Sequence, residues 1–451
     1  MYPVLNACMA TTITYKRIWQ IAYPIILGSI IQNIIRVTDT AFLGHVGEIE
    51  LGAAAVGSVF YMTFMMLGIG FSVGTQIIVA RRYGEQRYFE IGKTTEHSFF
   101  FLAAFSIFVI TGIEIFLPKL LPFLIHSDNI LRESADFLEI RFIGLFFAFT
   151  NFAFRGFYIG ITRTRVITLT TAVMAVVNIV FDYLLIFGKA GFPVMGIKGA
   201  AWASVISELT ATLAFILYTI RFTPYKKYQL FAFRKFSRET FSSVLNISLP
   251  VMMQNFFSFA GWLFFFLFVE KMGEHSLAIS NIIRSIYVIM LVPILGFSFT
   301  TNSLVSYVLG RKQSYLVKEV VFKTLKLCFL SVAVMVALNL IFSRALLSVF
   351  SDNRALINDS APVLYVISGA AFFIGAGFIL FNAVSGTGHT KFAFRAEASI
   401  FVVYVALTYL LTIILKKSIS FVWAVEFLYG ALLILVSVLF FKYYKWTQKN
   451  V

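Results

Sequence analysis

An all-α integral membrane protein, with twelve transmembrane helices in two pseudo-symmetric six-helix lobes, is the fold class this sequence predicts. Three observations predict it. Of 451 residues, 59% are hydrophobic and only 13% charged, with a mean hydropathy of +0.87, whereas soluble domains carry roughly a quarter charged residues. Apolar stretches recur that are long enough to cross a bilayer at about 20 residues each, and they leave only short loops between them. The chain also repeats itself at an offset of 226 residues. A water-soluble enzyme is excluded by this composition, and 53 Phe with 17% aromatics exclude a disordered chain.

The stretches fall at 18–43, 52–80, 94–117, 137–160, 166–187 and 197–220, then at 245–269, 277–308, 320–342, 361–384, 393–415 and 421–441. Lys16 and Arg17 precede the first, which is too long for a cleaved signal sequence and lacks a small-residue cleavage site, so it reads as a membrane helix. Between the two sets of six lies the longest polar connection, with Arg221, Lys226, Lys227, Arg234, Lys235 and Arg238. The expected domains are an N-terminal lobe over 1–220, a basic cytoplasmic linker over 221–244 and a C-terminal lobe over 245–451.

The net charge of +16 follows from 37 Lys and Arg against 21 Asp and Glu. With the N-terminus inside, the cytoplasmic segments carry Lys16 and Arg17, Arg81, Arg82 and Arg87, Arg163 and Arg165, the linker, Arg311, Lys312 and Lys318, Lys391 and Arg395, and Lys442, Lys445 and Lys449. The opposite loops hold fewer, among them Lys119, Arg132, Lys189, Lys198, Lys271 and Arg344. This asymmetry predicts a multi-pass protein of the cytoplasmic (inner) membrane with both termini cytoplasmic. It accounts for the basic excess without nucleic acid. Cys8 and Cys328 support neither a disulfide framework nor a metal motif, and the five His residues form no ligand cluster.

Sliding the chain by 226 residues aligns Pro24 with Pro250, Gly47-Glu48 with Gly273-Glu274, and Leu51 with Leu277. Without a gap, Gly70-Phe71-Ser72 then meets Gly296-Phe297-Ser298, Thr75 meets Thr301 and Gly84 meets Gly310; further on, Gly160 meets Gly386 and Thr164 meets Thr390. Six helices per copy is an even number, so both copies enter the membrane in the same direction. They are expected to form parallel repeats about an axis along the membrane normal, with a cavity between them.

The copies differ in their acids. Asp39 in helix 1 and Asp182 in helix 5 correspond to Phe265 and Thr408. An ionisable group at bilayer depth costs roughly 2.5–3.5 kcal/mol on insertion scales, so one that persists has usually found a pair, a water-filled cavity or a function. Asn178 and Asp182, four apart, share a helical face with Thr171; Gln32, Arg36 and Asp39 form a polar stripe on helix 1 beside Ser29 and Asn33. Two such stripes in one lobe can converge on a site whose hard oxygens suit a proton or Na+. The plainer alternatives are an Arg36–Asp39 pair at i, i+3 and an Asp182 merely satisfied by Asn178 and a hydroxyl. Glu208, Arg284, Glu397 and Glu426 are weaker candidates, read chiefly as structural groups. Pro24 removes a backbone hydrogen bond early in helix 1, which provides either a hinge or a packing bend.

At these residues the chain resembles the multidrug and toxic compound extrusion (MATE) family. The resemblance is carried by the run Val37-Thr38-Asp39-Thr40-Ala41-Phe42-Leu43-Gly44-His45-Val46-Gly47, by Ala80-Arg81-Arg82-Tyr83-Gly84, and by Arg155-Gly156. It extends through Asn178 to Asp182 followed by Phe187-Gly188, and through Gly199-Ala200-Ala201-Trp202-Ala203-Ser204. It implies the MATE fold and an antiporter that exports small organic, often cationic, compounds in exchange for H+ or Na+, with no other cofactor. The helix 1 acid and the helix 5 Asn/Asp pair of the DinF-like branch would fall on Asp39, Asn178 and Asp182, the helix 6 hydroxyl on Ser204 and the bending proline on Pro24. The NorM-like branch has acids in helices 7 and 10; here helix 7 reads Pro250, Gln254, Asn255 and Ser258, and helix 10 has no acid between Pro362 and Gly386, so the chain looks more DinF-like. Gln32, Arg36 and Glu208 are possible modulators of the site, and Na+ could sit at Asp39, Asn178 and Asp182. The expected partners are small organic substrates and membrane lipid, and a monomer is expected. A lipid-linked precursor flippase is the alternative; it would favour a strongly basic central cavity. A membrane-embedded enzyme would need a catalytic grouping such as HExxH, which the sequence lacks.

Overall fold

The computed structural model describes residues 13–125, 127–232 and 235–448; Cys8, Arg234 and Lys449 lie outside the described residues. The N-terminal six helices are α1 (Tyr15–Gly44), α2 (Glu48–Gly84), α3 (Tyr88–Leu124), α4 (Asp128–Gly160), α5 (Arg165–Ile186) and α6 (Ile197–Phe222). The second six are α7 (Arg238–Glu270), α8 (Glu274–Gly310), α9 (Leu316–Ile341), α10 (Arg354–Gly386), α11 (Thr390–Tyr409) and α12 (Val425–Tyr443). All twelve spans are long and apolar enough to cross a membrane.

Several helices outrun their apolar stretches. At 1.5 Å per residue, the 37 residues of α3 extend about 55 Å, well beyond the roughly 30 Å hydrocarbon core. Their ends continue as helix in the polar zone because caps and end charges support them there. Thr14 Oγ1 accepts from Arg17 N at 3.2 Å to start α1, Asn353 Oδ1 accepts from Ala355 N and Leu356 N to start α10, and Glu48 and Glu50 sit in the first turn of α2. Hydropathy also misses breaks. The single stretch at 393–415 is α11 followed by a π-helical turn at Leu410–Ile414, and 421–441 is a short helix at Ile419–Trp423 followed by α12.

The polar connection is not a plain loop. It contains a helical turn at Tyr225–Tyr228, and Arg238 is already the first residue of α7, whose N-cap is Ser237. Two side chains of α3 hold it: Ala232 N donates to Glu96 Oε1 at 2.8 Å, and Ser237 N donates to His97 Nε2 at 2.9 Å. Lys323 lies in the first turns of α9, where Nζ bonds Glu319 at 2.5 Å and reaches the Ile13 carbonyl at 2.8 Å.

The lobes meet about repeat-related residues. Gln76 Nε2 donates to Asn302 Oδ1 at 3.3 Å and to the Phe299 carbonyl at 2.9 Å. Gly84 and Gly310 are in mutual contact: a Cβ on Gly84 would fall 2.2 Å from the Tyr307 carbonyl oxygen, and one on Gly310 would fall 2.3 Å from that of Arg81. Small residues here let two backbones approach as no side chain would permit. Ser306 Oγ donates to the Ile77 carbonyl at 2.7 Å, Ser303 Oγ to that of Ile159 at 3.1 Å, and Arg81 Nη2 to that of Thr387 at 3.1 Å. These contacts all lie in the half of the molecule that contains the start of α1 and the ends of α6 and α12. The seam between the lobes is therefore closed at the end where α1 starts and α12 ends.

Candidate cation site in the N-terminal lobe

Helices α1 and α5 run in the same direction and are pinned together near their starts. Thr164 Oγ1 donates to the Ile21 carbonyl at 2.9 Å, and Thr168 Oγ1 donates to the Pro24 carbonyl at 2.7 Å. Pro24 thus sits inside a continuous α1, and its neighbouring backbone is held by a hydroxyl of α5. This pinning sets the rotation of each helix, so that the two polar stripes face each other further along.

There Asp39, Asn178 and Asp182 come together. Asn178 and Asp182 are fully buried, and Asp39 is partly so. With its amide nitrogen turned toward the carboxylates, Asn178 donates to Asp39 Oδ1 at 2.9 Å and to Asp182 Oδ2 at 3.2 Å. Asp182 Oδ1 is buried without a hydrogen-bond partner. Two carboxylates that share one neutral donor at membrane depth concentrate negative potential, which a proton or a small cation relieves. Of the four carboxylate oxygens two accept from Asn178 and two remain, and such oxygens are hard ligands of the kind a proton or Na+ takes.

The other candidates are distributed differently. Arg36 is exposed and its guanidinium bonds Asn33 Oδ1 on its own helix; it makes no ion pair with Asp39, which corrects the i, i+3 alternative. Three residues of helix separate their Cα atoms but do not decide the rotamer, and the amide of Asn33 lies one turn back on the same face. Gln32 is partly buried and Ser204 likewise; Ser204 receives the Ser207 hydroxyl at its carbonyl, and among the described residues its own hydroxyl makes no bond to the three site residues. Glu208 is engaged elsewhere. Arg141 Nη2 donates to Glu208 Oε1 at 2.7 Å and Nη1 to Oε2 at 3.0 Å, while the guanidinium carbon stands 4.0 Å from the Tyr61 ring centroid.

In the C-terminal lobe, Glu426 accepts from Tyr287 at 2.7 Å and from Tyr404 at 2.9 Å, and Glu397 accepts from Tyr429 at 2.7 Å. Arg284 stacks over Phe266, with its guanidinium carbon 5.0 Å from the ring centroid. Sequence reasoning had overlooked Arg141 and the tyrosines. An arginine inside the fourth apolar stretch was the available signal, but its partner lies 67 residues away on another helix.

Twelve membrane-spanning helices in two lobes related by a repeat, with Asp39, Asn178 and Asp182 gathered inside one of them, define an integral multi-pass membrane protein of transporter architecture. The MatE family model matches residues 24–184 and again 250–410, two copies displaced by the same offset that separates Gln76 from Asn302. The chain belongs to the MatE family of membrane transporters. Among curated relatives it is 25% identical over 61% of its length to a probable multidrug resistance protein NorM of Synechocystis, covering 60% of that protein. It is 23% identical over 95% of its length to the probable multidrug resistance protein YoeA of Bacillus subtilis, covering 93% of it. An outward-facing multidrug resistance MATE family transporter superposes with a TM-score of 0.88 at 18% identity, with 97% of each chain covered. A MOP superfamily transporter from Pyrococcus furiosus gives 0.87 at 18% identity, again over 97% of each chain. Likenesses at this identity establish the fold.

Proposed function

We propose that this protein is a secondary active antiporter that exports small organic, often cationic, compounds in exchange for H+ or Na+ by alternating access. One observation carries this reading: Asn178 bridges Asp39 and Asp182 inside one lobe, beside a buried carboxylate oxygen that has no partner. The coupling cation enters there as substrate, with Asp39, Asn178 and Asp182 as its holders, Ser204 of α6 as a further hydroxyl and Pro24 as the bend of α1. On this reading residues 1–220 form the coupling lobe, 221–244 the cytoplasmic connection and 245–451 the second lobe. Both termini would face the cytoplasm, and a seam closed where α1 starts and α12 ends suits an outward-facing state, as in the outward-facing MATE family transporter that superposes on the chain. The site draws on one lobe and α10 has no acid between Pro362 and Gly386, which supports the DinF-like branch, although the relatives named above are called NorM and YoeA.

A ligand shifts two lobes between states only by its differential affinity for them. A cation drawn between Asp39 and Asp182 relieves their repulsion and favours the packing in which α1 and α5 draw together; drug binding favours the other. One charge moving through 100 mV supplies about 2.3 kcal/mol. A one-for-one exchange of monovalent cations is electroneutral, and only the chemical gradient then drives it. The flippase alternative has no comparable support, since Arg36 is bonded to Asn33 and Arg284 is stacked on Phe266.

The test is reconstitution in proteoliposomes with an imposed pH or Na+ gradient, following ethidium movement. Gradient-driven transport by the wild type that disappears in Asp182→Asn and in Asp39→Asn is the expected result. Wild-type rates in both variants would remove the assigned site, and no dye movement under either gradient would remove the exporter reading.

A further inference from the structure

The Arg141–Glu208 pair is more than a strut between α4 and α6. It is bidentate, its side chains are only 13% and 8% exposed, and the ring of Tyr61 from α2 lies against the guanidinium while its hydroxyl reaches Glu208 Oε1 at 3.4 Å. Gly144 makes room for it: a Cβ there would fall 2.4 Å from Glu208 Oε2 and 2.8 Å from Arg141 Nη1. Asn151 Nδ2 holds the Glu208 carbonyl at 3.0 Å, so the acid is fixed by its backbone as well. Arg141 also lies within electrostatic reach of Asp39. The charged groups that act on Asp39 are Asp182 from α5 and Arg141 from α4; Glu208 of α6 and Tyr61 of α2 stand against Arg141, and Arg36, on the helix of Asp39, is tied to Asn33.

We propose that Arg141 and Glu208 are positioning residues that set how tightly the Asp39–Asn178–Asp182 site holds its cation, Glu208 cancelling a fixed positive charge that would otherwise oppose cation entry. This rests on the coupling-site reading above. A guanidinium always carries its charge, and in a low-dielectric interior an uncompensated charge acts over many ångströms. Paired with Glu208, Arg141 presents Asp39 with a dipole. Freed from Glu208, it would present a full cation, and any cation binding at Asp39 would compete with it. A coupling site must release its ion as well as bind it, and a balanced neighbouring pair is a means of tuning that affinity without touching the ion.

The experiment measures the external H+ or Na+ concentration giving half-maximal ethidium transport in proteoliposomes, for the full-length wild type, E208Q, R141M and the double variant R141M/E208Q. The expected result is a weakening of about tenfold in E208Q, one pH unit if the ion is a proton, and a return to within about threefold of wild type in the double variant. R141M alone, which removes the positive charge, holds or raises the affinity. Unchanged affinity in E208Q, a double variant as weak as E208Q, or a weakened R141M would each overturn the proposal; R141M separates the two roles, because a purely structural pair is damaged by either single change, each leaving a buried charge unpaired. If E208Q does not fold, R141M decides by its sign alone. Asp182→Asn serves as the control: gradient-driven transport surviving in it removes the coupling-site reading itself, whereas its loss beside unmoved affinities in E208Q removes only the tuning.

Discussion

Gln76 and Asn302 occupy the same place in the two copies of the repeat and hydrogen-bond to one another across the seam between the lobes, 3.3 Å apart. A residue that meets its own repeat mate lies on the pseudo-twofold axis, so this pair locates the axis at the C-terminal halves of α2 and α8. Gln76 is 1% exposed and Asn302 fully buried. Gln76→Ala leaves Asn302 Oδ1 without its donor, at a cost of about 1–3 kcal/mol, whereas Asn302→Ala leaves Gln76 Nε2 its bond to the Phe299 carbonyl and costs less. Gln76→Ala and Asn302→Ala are expected to lower the thermal midpoint in detergent, and the double variant to lose less than the sum, since both remove one shared bond. Additive losses would show that the pair is not coupled.

The closed seam depends on backbone approach at Gly84 and Gly310. Gly84→Ala and Gly310→Ala place a methyl within 2.2 and 2.3 Å of opposing carbonyl oxygens, so the lobes must separate there. We expect a loss of about 1–3 kcal/mol for each and increased labelling of a cysteine introduced at Tyr307. Gly112→Ala is the comparison: a Cβ there meets nothing within 4 Å, and a helical Gly→Ala change should be neutral or stabilising by up to about 1 kcal/mol. Equal melting of all three variants would contradict the close packing.

Asn178→Leu keeps the approximate volume of the side chain while removing the donor that Asp39 and Asp182 share. Gradient-driven dye transport should fall at least tenfold, and the variant should still express and elute as a monodisperse peak. Transport within twofold of wild type would mean that the two acids do not need their bridge.

Glu397 and Glu426 of the C-terminal lobe are held by neutral tyrosine hydroxyls. Tyr287→Phe and Tyr404→Phe each remove one hydroxyl from Glu426, and each should cost about 1–2 kcal/mol with the coupling-ion dependence of transport unchanged. A shift in that dependence instead would give Glu426 a part in coupling.

Hydropathy alone predicted twelve spans, because the cost of burying a polar residue in lipid is paid locally, stretch by stretch, and leaves its record along the chain. The repeat was legible for a similar reason: Gly84 and Gly310, or Pro24 and Pro250, are backbone requirements that side chains cannot meet. Helix ends were less legible, since caps such as Asn353 and the π-helical turn at Leu410–Ile414 lie where hydropathy has no gradient. The three polar residues Asp39, Asn178 and Asp182 could be nominated from their stripes, but their meeting depends on how Thr164 and Thr168 rotate α5 against α1. Arg36 turning to Asn33 rather than to Asp39, and Arg141 finding Glu208 across 67 residues, were decided only by tertiary structure. Sequence spacing determines which residues share a helix face, whereas the rotation and crossing of packed helices determine which faces touch, and a buried charge takes whichever partner that packing brings within reach.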